Sequence, residues 1–316
     1  MKALCSIIYS VLVLMIFTVS VSFADEGGTS FWLPGQMGSF SASPSEPGWS
    51  FPLLYYYSSV KANASKLFVI SGGINAGVKA RSDLLMVTPT YVFSTPIIGA
   101  QASVGVTGFV GRYAIDVNAA LIGPSGTTIA GQRKDSLKSV GDLFPTASLK
   151  WNYNVHNFMV YTMGDIPVGT YDINRLANMG INHWSLDGGG GYTYLDEKEH
   201  HNEFSVVIGL TENFENPATY YKNGVDAHLD WSIAQFLSEN YFIGPSGFVF
   251  KQITGDSGAG AQLGDFKSQI FGIGPQLGLF FKIGEQKWYM NLKVMDEFGA
   301  KNRPSGWNGW LSLTTA

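Results

Sequence analysis

Residues 287–295 read KWYMNLKVM. Side chains on a strand alternate between its faces, so Trp288, Met290, Leu292 and Val294 fall on one side and Lys287, Tyr289, Asn291 and Lys293 on the other. The same alternation runs through EFSVVIGLT at 203–211 and VDAHLDWSIAQFL at 225–237, where Val225, Ala227, Leu229, Trp231 and Ile233 oppose Asp226, His228, Asp230 and Ser232. These patterns predict half-buried strands. Similar segments lie at 142–153, 157–168, 183–195, 241–253, 268–282 and 307–314. In the N-terminal half the pattern holds at 84–93 and 100–121, the latter with a phase change at 108–112 that predicts a bulge or tight turn. Segments 50–59 and 67–78 are less regular, and no stretch of comparable length has helical periodicity.

Connections alternate in length. Those at 154–156, 238–240 and 284–286 are short, while 122–140, 169–182, 212–224 and 254–267 are long. Long external loops alternating with short periplasmic turns are the signature of an up-and-down outer-membrane barrel. Counting the segments gives thirteen, whereas such single-chain barrels have an even number of strands. The expectation is an all-β, antiparallel transmembrane β-barrel of 12 strands, or 14 if the phase change is a hairpin. Most segments reach the 9–11 residues that a tilted strand needs to cross the hydrocarbon layer. The oily face of Trp288, Met290, Leu292 and Val294 is therefore expected to face lipid. Trp151, Trp184, Trp231, Trp288 and Tyr55, Tyr56 and Tyr57 are candidates for interfacial girdles.

Composition supports this picture. Charged residues are 14% of the chain and aromatics 14%, with 38 glycines in 316 residues, whereas soluble domains carry roughly a quarter charged residues. After the first turns of the chain no apolar run is long enough for a membrane helix, which leaves the closed barrel as the spanning structure. A net charge of −4 argues against nucleic acid as a partner.

The chain opens with Lys2, an apolar run from Ile7 to Val21 and a small-x-small site at Ser22-Phe23-Ala24. Residues 1–24 read as a secretory signal peptide, a membrane anchor being the weaker alternative because the run is short. The single cysteine, Cys5, lies inside it, so disulfides cannot hold the exported protein together. Residues 25–49 form a plug-like segment and 50–316 the barrel.

Three groups of strings go further: GTSFWLPGQMGSF (28–40) followed by PGWS (47–50); NRLANMGINHWSLD (174–187); and QITGDSGAGAQLGDFKSQIFGIGP (252–275) with EFGAKNR (297–303). Together they resemble the family of outer-membrane transporters named for the phenol meta-cleavage (MetA) degradation pathway. The resemblance implies a 12-stranded outer-membrane channel whose N-terminal segment enters the barrel, linked to uptake of hydrophobic or aromatic compounds. The chain departs from the common barrel ending, closing on Leu313-Thr314-Thr315-Ala316 in place of a terminal Phe or Trp. The partners expected are outer-membrane lipid, a small hydrophobic solute and the barrel assembly machinery.

Candidate path residues follow from the faces. Phe31, Trp32 and Pro34 belong to an apolar, Gly/Pro-interrupted segment that cannot be a stable helix alone; it reads as a luminal plug, the alternative being a periplasmic tail. Asp226, His228 and Asp230 share a strand face with no further metal ligand to name, and read as a polar lumen wall, with Lys287 or Lys293 as counter-charges. His200-His201 reads as a solvated turn. GDSGAGAQLGD (255–265) lacks the Lys-Ser/Thr and the helix of a phosphate loop. No metal, cofactor or catalytic set is expected. The function expected is passive uptake of small hydrophobic or aromatic compounds; an outer-membrane hydrolase and a structural or adhesive barrel with partner-binding loops are the alternatives.

Overall fold

The structure, a computed structural model, describes residues 30–64, 73–122, 128–196, 201–261 and 265–315. The expected leader, residues 1–24, lies outside them. All the regular structure is strand: β1 (Gly48–Ser50), β2 (Leu53–Ala64), β3 (Gly73–Val87), β4 (Thr90–Val92), β5 (Gln101–Ile122), β6 (Thr128–Tyr153), β7 (His156–Asp165), β8 (Ser185–Asp196), β9 (Asn202–Asn213), β10 (Asp226–Ser238), β11 (Tyr241–Gln252), β12 (Gln269–Ile283), β13 (Gln286–Lys301) and β14 (Ser305–Thr315). From β5 onward each strand pairs antiparallel with the next; β14 returns to β2, β2 pairs with β3, and β3 with β5. The ring is closed, so no long edge is left with unpaired backbone groups. β1 and β4 are three residues each and continue β2 and β3 beyond Pro52 and Pro89, where the missing N–H interrupts the ladder. Setting those two aside, the 14-stranded sheet is a barrel of 12 long strands.

The 12-stranded reading is thus the correct one, and the miscounted strand has a physical cause. Residues 73–78 of one expected segment and 84–87 of the next belong to a single strand, β3, while 67–72 lie outside the described residues. In its lower part Leu85 and Val87 point outward and are exposed, whereas in its upper part Val78 and Ala80 point inward and are buried while Lys79 and Arg81 point outward. The oily face changes sides without any break in the backbone. β5 does the same at 108–112: Val104, Val106 and Val110 are turned outward, but above them Tyr113, Ile115 and Val117 are buried inside. The phase change is therefore no hairpin. The register slip that accompanies it, Gly108 opposite Leu143 but Val110 opposite Val140, adds a residue to β6 at Gly141–Asp142.

These rungs mark the top of the apolar belt. Leu85, Val110 and Val140 lie side by side, and the next outward rung is Asp83, Arg112 and Lys138. Above it the strands stand in water, which corrects the expected long loop at 122–140. Most of it is the upper half of β6, whose pairing with β5 continues to Ile122↔Thr128. At about 3.3 Å per residue, the 26 residues of β6 reach well beyond a hydrocarbon layer of ~30 Å. Hydrophobic alternation misses this extension because both faces of the ribbon are wet; Lys134 pairs with Asp116 at 3.3 Å there.

At one end the barrel has two-residue turns at 154–155, 239–240 and 284–285; at the other it has the irregular segments 166–184, 214–225, 253–261 and 265–268.

Candidate functional site

The lumen is filled. Residues 30–46 enter it as an irregular chain, held through its backbone by side chains of the β8–β13 wall. Asp230 accepts the Gly35 and Met37 N–H groups, each at 3.0 Å, and Lys293 donates to the carbonyls of the same two residues at 2.6 and 2.7 Å. One carboxylate and one ammonium thus bracket a single stretch of backbone and satisfy donors and acceptors that would otherwise be buried unpaired. Gly35 has φ +83°, a conformation that favours glycine, and a Cβ there would lie 2.4 Å from Met295 Cε, so that side chain would have to shift.

Below this bracket Glu203 accepts the Phe40 N–H at 3.1 Å and the Ser39 hydroxyl at 2.9 Å, and Thr193 Oγ1 accepts the Ala42 N–H at 3.1 Å. Lys150 donates to the Ser43 carbonyl at 2.9 Å. Phe40 sits edge-on to Phe242 and Tyr289, ring centroids 5.5 Å away in both cases, with Phe236 and Phe280 beside them. Because these rings flank the 239–240 and 284–285 turns, Phe40 closes the short-turn end. Above the bracket Trp32 stacks on His228 at 3.6 Å between ring centroids, and Phe31 lies edge-on to Phe144 at 5.1 Å.

The two sides of the lumen differ. The wall from β6 to β10 carries Asp142, Asp165, Asp187, Glu203, Asp226 and Asp230, all buried. The opposite wall, β2, β3 and β5, offers Tyr56, Val78, Ala80, Leu84, Tyr113 and Ile115. Between that apolar wall and Leu33 and Pro34 of the segment lies a cavity of ≈ 70 Å³, rimmed by Glu297, Arg303 and Pro304 near the β13–β14 turn. The segment is therefore tied by polar bonds to one wall and turns its apolar side chains to a gap beside the other.

The loop at 166–184 folds into the wide end above the segment. Asp135 receives Arg175 Nη2 at 2.6 Å and the N–H groups of Leu176 and Ala177 at 3.1 Å. Asp142, re-aimed inward by the β6 bulge, accepts from Gly169 N at 2.6 Å and Ile181 N at 2.8 Å. Ala177 and Met179 are buried against the same cluster as Phe31 and Trp32. His183, at the end of this loop, is buried, and burial lowers its pKa from the ordinary 6.5.

The residues singled out from sequence are distributed as follows. Phe31 and Trp32 are buried in the lumen and Pro34 lines the cavity. Asp226, His228, Asp230 and Lys293 all point inward and are buried, but only Asp230 and Lys293 share a backbone stretch. Asp226 holds Asn213, and His228 Nε2 lies 2.9 Å from Asp187. Lys287 is a correction: it sits beside the 284–285 turn opposite Lys282 and is exposed, because the strand has already left the packed lumen. Trp288, Met290, Leu292 and Val294 are turned outward, Leu292 and Val294 being exposed. Tyr56 is also a correction, since it faces the lumen and packs on Trp310 at 4.4 Å. Glu203, Thr193 and Lys150 carry the segment equally and were missed; the only signal was their place on the polar face of an alternating strand. Asp187 and His228 resemble two parts of a hydrolytic relay, but the imidazole is stacked beneath Trp32 and its Nδ1 is buried without a hydrogen-bond partner among the described residues.

Comparison with known proteins agrees with this architecture. Among solved structures the chain is similar to the COG4313 outer membrane channel from Pseudomonas putida F1, with a TM-score of 0.66 at 15% identity over 87% of this chain and 97% of that one. It overlaps more loosely with a Pseudomonas aeruginosa FadL homologue, with a TM-score of 0.44 at 8% identity over 93% and 97% of the two chains. No curated protein matches. The fold is that of an outer-membrane β-barrel, and residues 63–313 match the family described as "Putative MetA-pathway of phenol degradation". Because this match spans well over half of the sequence, the chain belongs to that family.

Proposed function

We propose that the protein is a passive outer-membrane channel for small hydrophobic or aromatic compounds, which travel between the N-terminal segment and the apolar wall of β2, β3 and β5. The observation that carries this reading is the segregated lumen. A hydrophilic pore would have charge all along its path, whereas here the cavity is bounded by Leu33, Pro34, Val78, Ala80, Leu84 and Ile115, with Glu297 and Arg303 as the charged residues of its lining. An apolar solute entering such a gap leaves water at a gain of about 25 cal/mol per Å² buried. A few hydroxyl groups, from Ser58, Ser82 and Tyr113, offer hydrogen bonds to a phenolic or similar group without demanding one. The family name points to the same solute class, and the channel of like fold supports a transport role.

The test is uptake of a radiolabelled aromatic hydrocarbon and of a phenol into proteoliposomes containing the protein. Ala80→Phe, which fills the cavity from the wall, is expected to slow both while the barrel keeps its heat-modifiable mobility. Uptake equal to that of empty vesicles, or unaffected by filling the cavity, would overturn the reading.

A further inference from the structure

The rings at the short-turn end of the lumen form a box. Phe236 and Phe242 stand opposite each other on β10 and β11, with ring centroids 5.5 Å apart. Phe280 and Tyr289 stand opposite each other on β12 and β13 at 5.1 Å. Between the two pairs lies Gly278, opposite Phe242 and Asn291. A Cβ there would fall 2.1 Å from Phe242 Cε1, so the fully buried Phe242 ring occupies the space that a side chain would take. Phe40 of the N-terminal segment sits among all four wall rings, its centroid 5.5–6.2 Å from theirs, and meets Phe242, Tyr289 and Phe280 edge-on at interplanar angles of 81°, 80° and 61°. Edge-to-face contact is what ring quadrupoles favour, and an aliphatic group of the same size cannot supply it.

The occupant is held there against its own backbone preference. Phe40 has φ +65°, in the left-handed region where a bulky L-residue is an outlier, and it remains half-buried. Its carbonyl accepts the Ser43 N–H at 2.9 Å, which closes a tight turn, and the Ser43 hydroxyl is buried inside that turn without a hydrogen-bond partner among the described residues. Return of Phe40 to an ordinary φ would swing its ring out of the box and undo the turn. A strained, half-buried ring in a seat shaped for rings has the character of an exchangeable occupant. We infer that the box is a binding site for a single aromatic ring, of the phenol or alkylbenzene class, which Phe40 fills in the resting channel. A solute ring that reaches the box takes the place of Phe40 and frees the 40–43 turn, opening the end that Phe40 closes. The part this exchange plays in passage rests on the transport reading above; the affinity of the box for a ring does not, and it is tested apart from uptake.

Ser43→Cys puts a thiol in place of the buried hydroxyl, and its maleimide labelling in refolded, heat-modifiable barrels reports opening of the turn. A solute that binds only once Phe40 has left shifts that equilibrium by mass action, so phenol at ten times its Kd for the vacated box should speed labelling roughly tenfold. Cyclohexanol, of similar size but without a π face, should need a several-fold higher concentration for the same effect. In the Ser43→Cys background, Phe242→Leu takes one ring from the wall and should abolish the advantage of phenol over cyclohexanol. Heat-modifiability shows whether that variant has folded; if it has not, the comparison of the two solutes in the Ser43→Cys chain decides. Labelling that ignores phenol, or that responds equally to both solutes, would overturn the ring site whatever uptake shows, and a preference for phenol kept in full by Phe242→Leu would place the ring elsewhere. A normal phenol response in a protein that transports no solute would instead overturn the transport reading and leave the ring site standing.

Discussion

Asp230→Ala should release the N-terminal segment. The substitution removes two charge-assisted hydrogen bonds, to Gly35 N and Met37 N, worth ~1.5–3 kcal/mol each. It also leaves Lys293, buried at 4% exposure, without the carboxylate that balances it. Losing the two bonds costs about 3–6 kcal/mol together, so the ratio of docked to released segment should fall on the order of a hundred- to ten-thousand-fold, at ~1.4 kcal/mol per decade. Replacing both, as Asp230→Ala with Lys293→Met, removes the stranded charge but also the two bonds to the Gly35 and Met37 carbonyls, so it should leave the segment released. The sequence has one cysteine, Cys5, in the expected leader, so Met37→Cys can serve as a unique reporter. Maleimide labelling of Met37→Cys in heat-modifiable barrels should be slow in the parent background and fast both with Asp230→Ala and in the double variant, and single-channel conductance should rise with labelling. Labelling of the Asp230→Ala barrel as slow as the parent would refute the bracket as the tether.

Other consequences are as direct. Gly35→Ala meets both a φ of +83° and Met295 Cε at 2.4 Å, and should weaken docking by ~1–3 kcal/mol, read by the same labelling; unchanged labelling would show that the segment relaxes there freely. Leu292→Arg, outward and midway along β13, should lower barrel stability by roughly 2–4 kcal/mol in lipid vesicles, whereas Gln286→Arg beside the turn should change it little. His183 is buried with its pKa below 6.5, so the docked loop binds fewer protons than the open one. Loop stability is then fully present above pH 6.5 and falls as pH drops through that value. Amide protection factors at 176–181, taken relative to the intrinsic exchange rate at each pH, should fall on acidification, and His183→Gln should flatten that response.

The barrel was legible because lipid on one side and a polar lumen on the other impose a period of two, and β9, β10 and β13 show it cleanly. The same rule misled at β3 and β5, whose upper halves have water outside and the apolar wall inside, so that Lys79 and Arg81 stand where a lipid-facing pattern requires oil. It failed in upper β6, where neither face is oily. For the site, Asp230 and Lys293 could be placed on inward faces, but their common target, the backbone of Gly35 and Met37, leaves no trace in side-chain identity. Lys287 shows the limit from the other side, since alternation assigns a face but not the height at which a strand leaves the lumen. Asp142 was hidden by the bulge, which changes its facing by one residue and has no composition signal beyond Gly141.

The path itself can be marked. A diazirine-bearing aromatic solute, photolysed in proteoliposomes during uptake and mapped by mass spectrometry, should label Leu33, Val78 and Leu84 on the two sides of the cavity, and excess unlabelled solute should suppress those adducts. Adducts confined to outward residues such as Leu292 and Val294, with none in the lumen during measurable uptake, would contradict a route between the segment and the apolar wall.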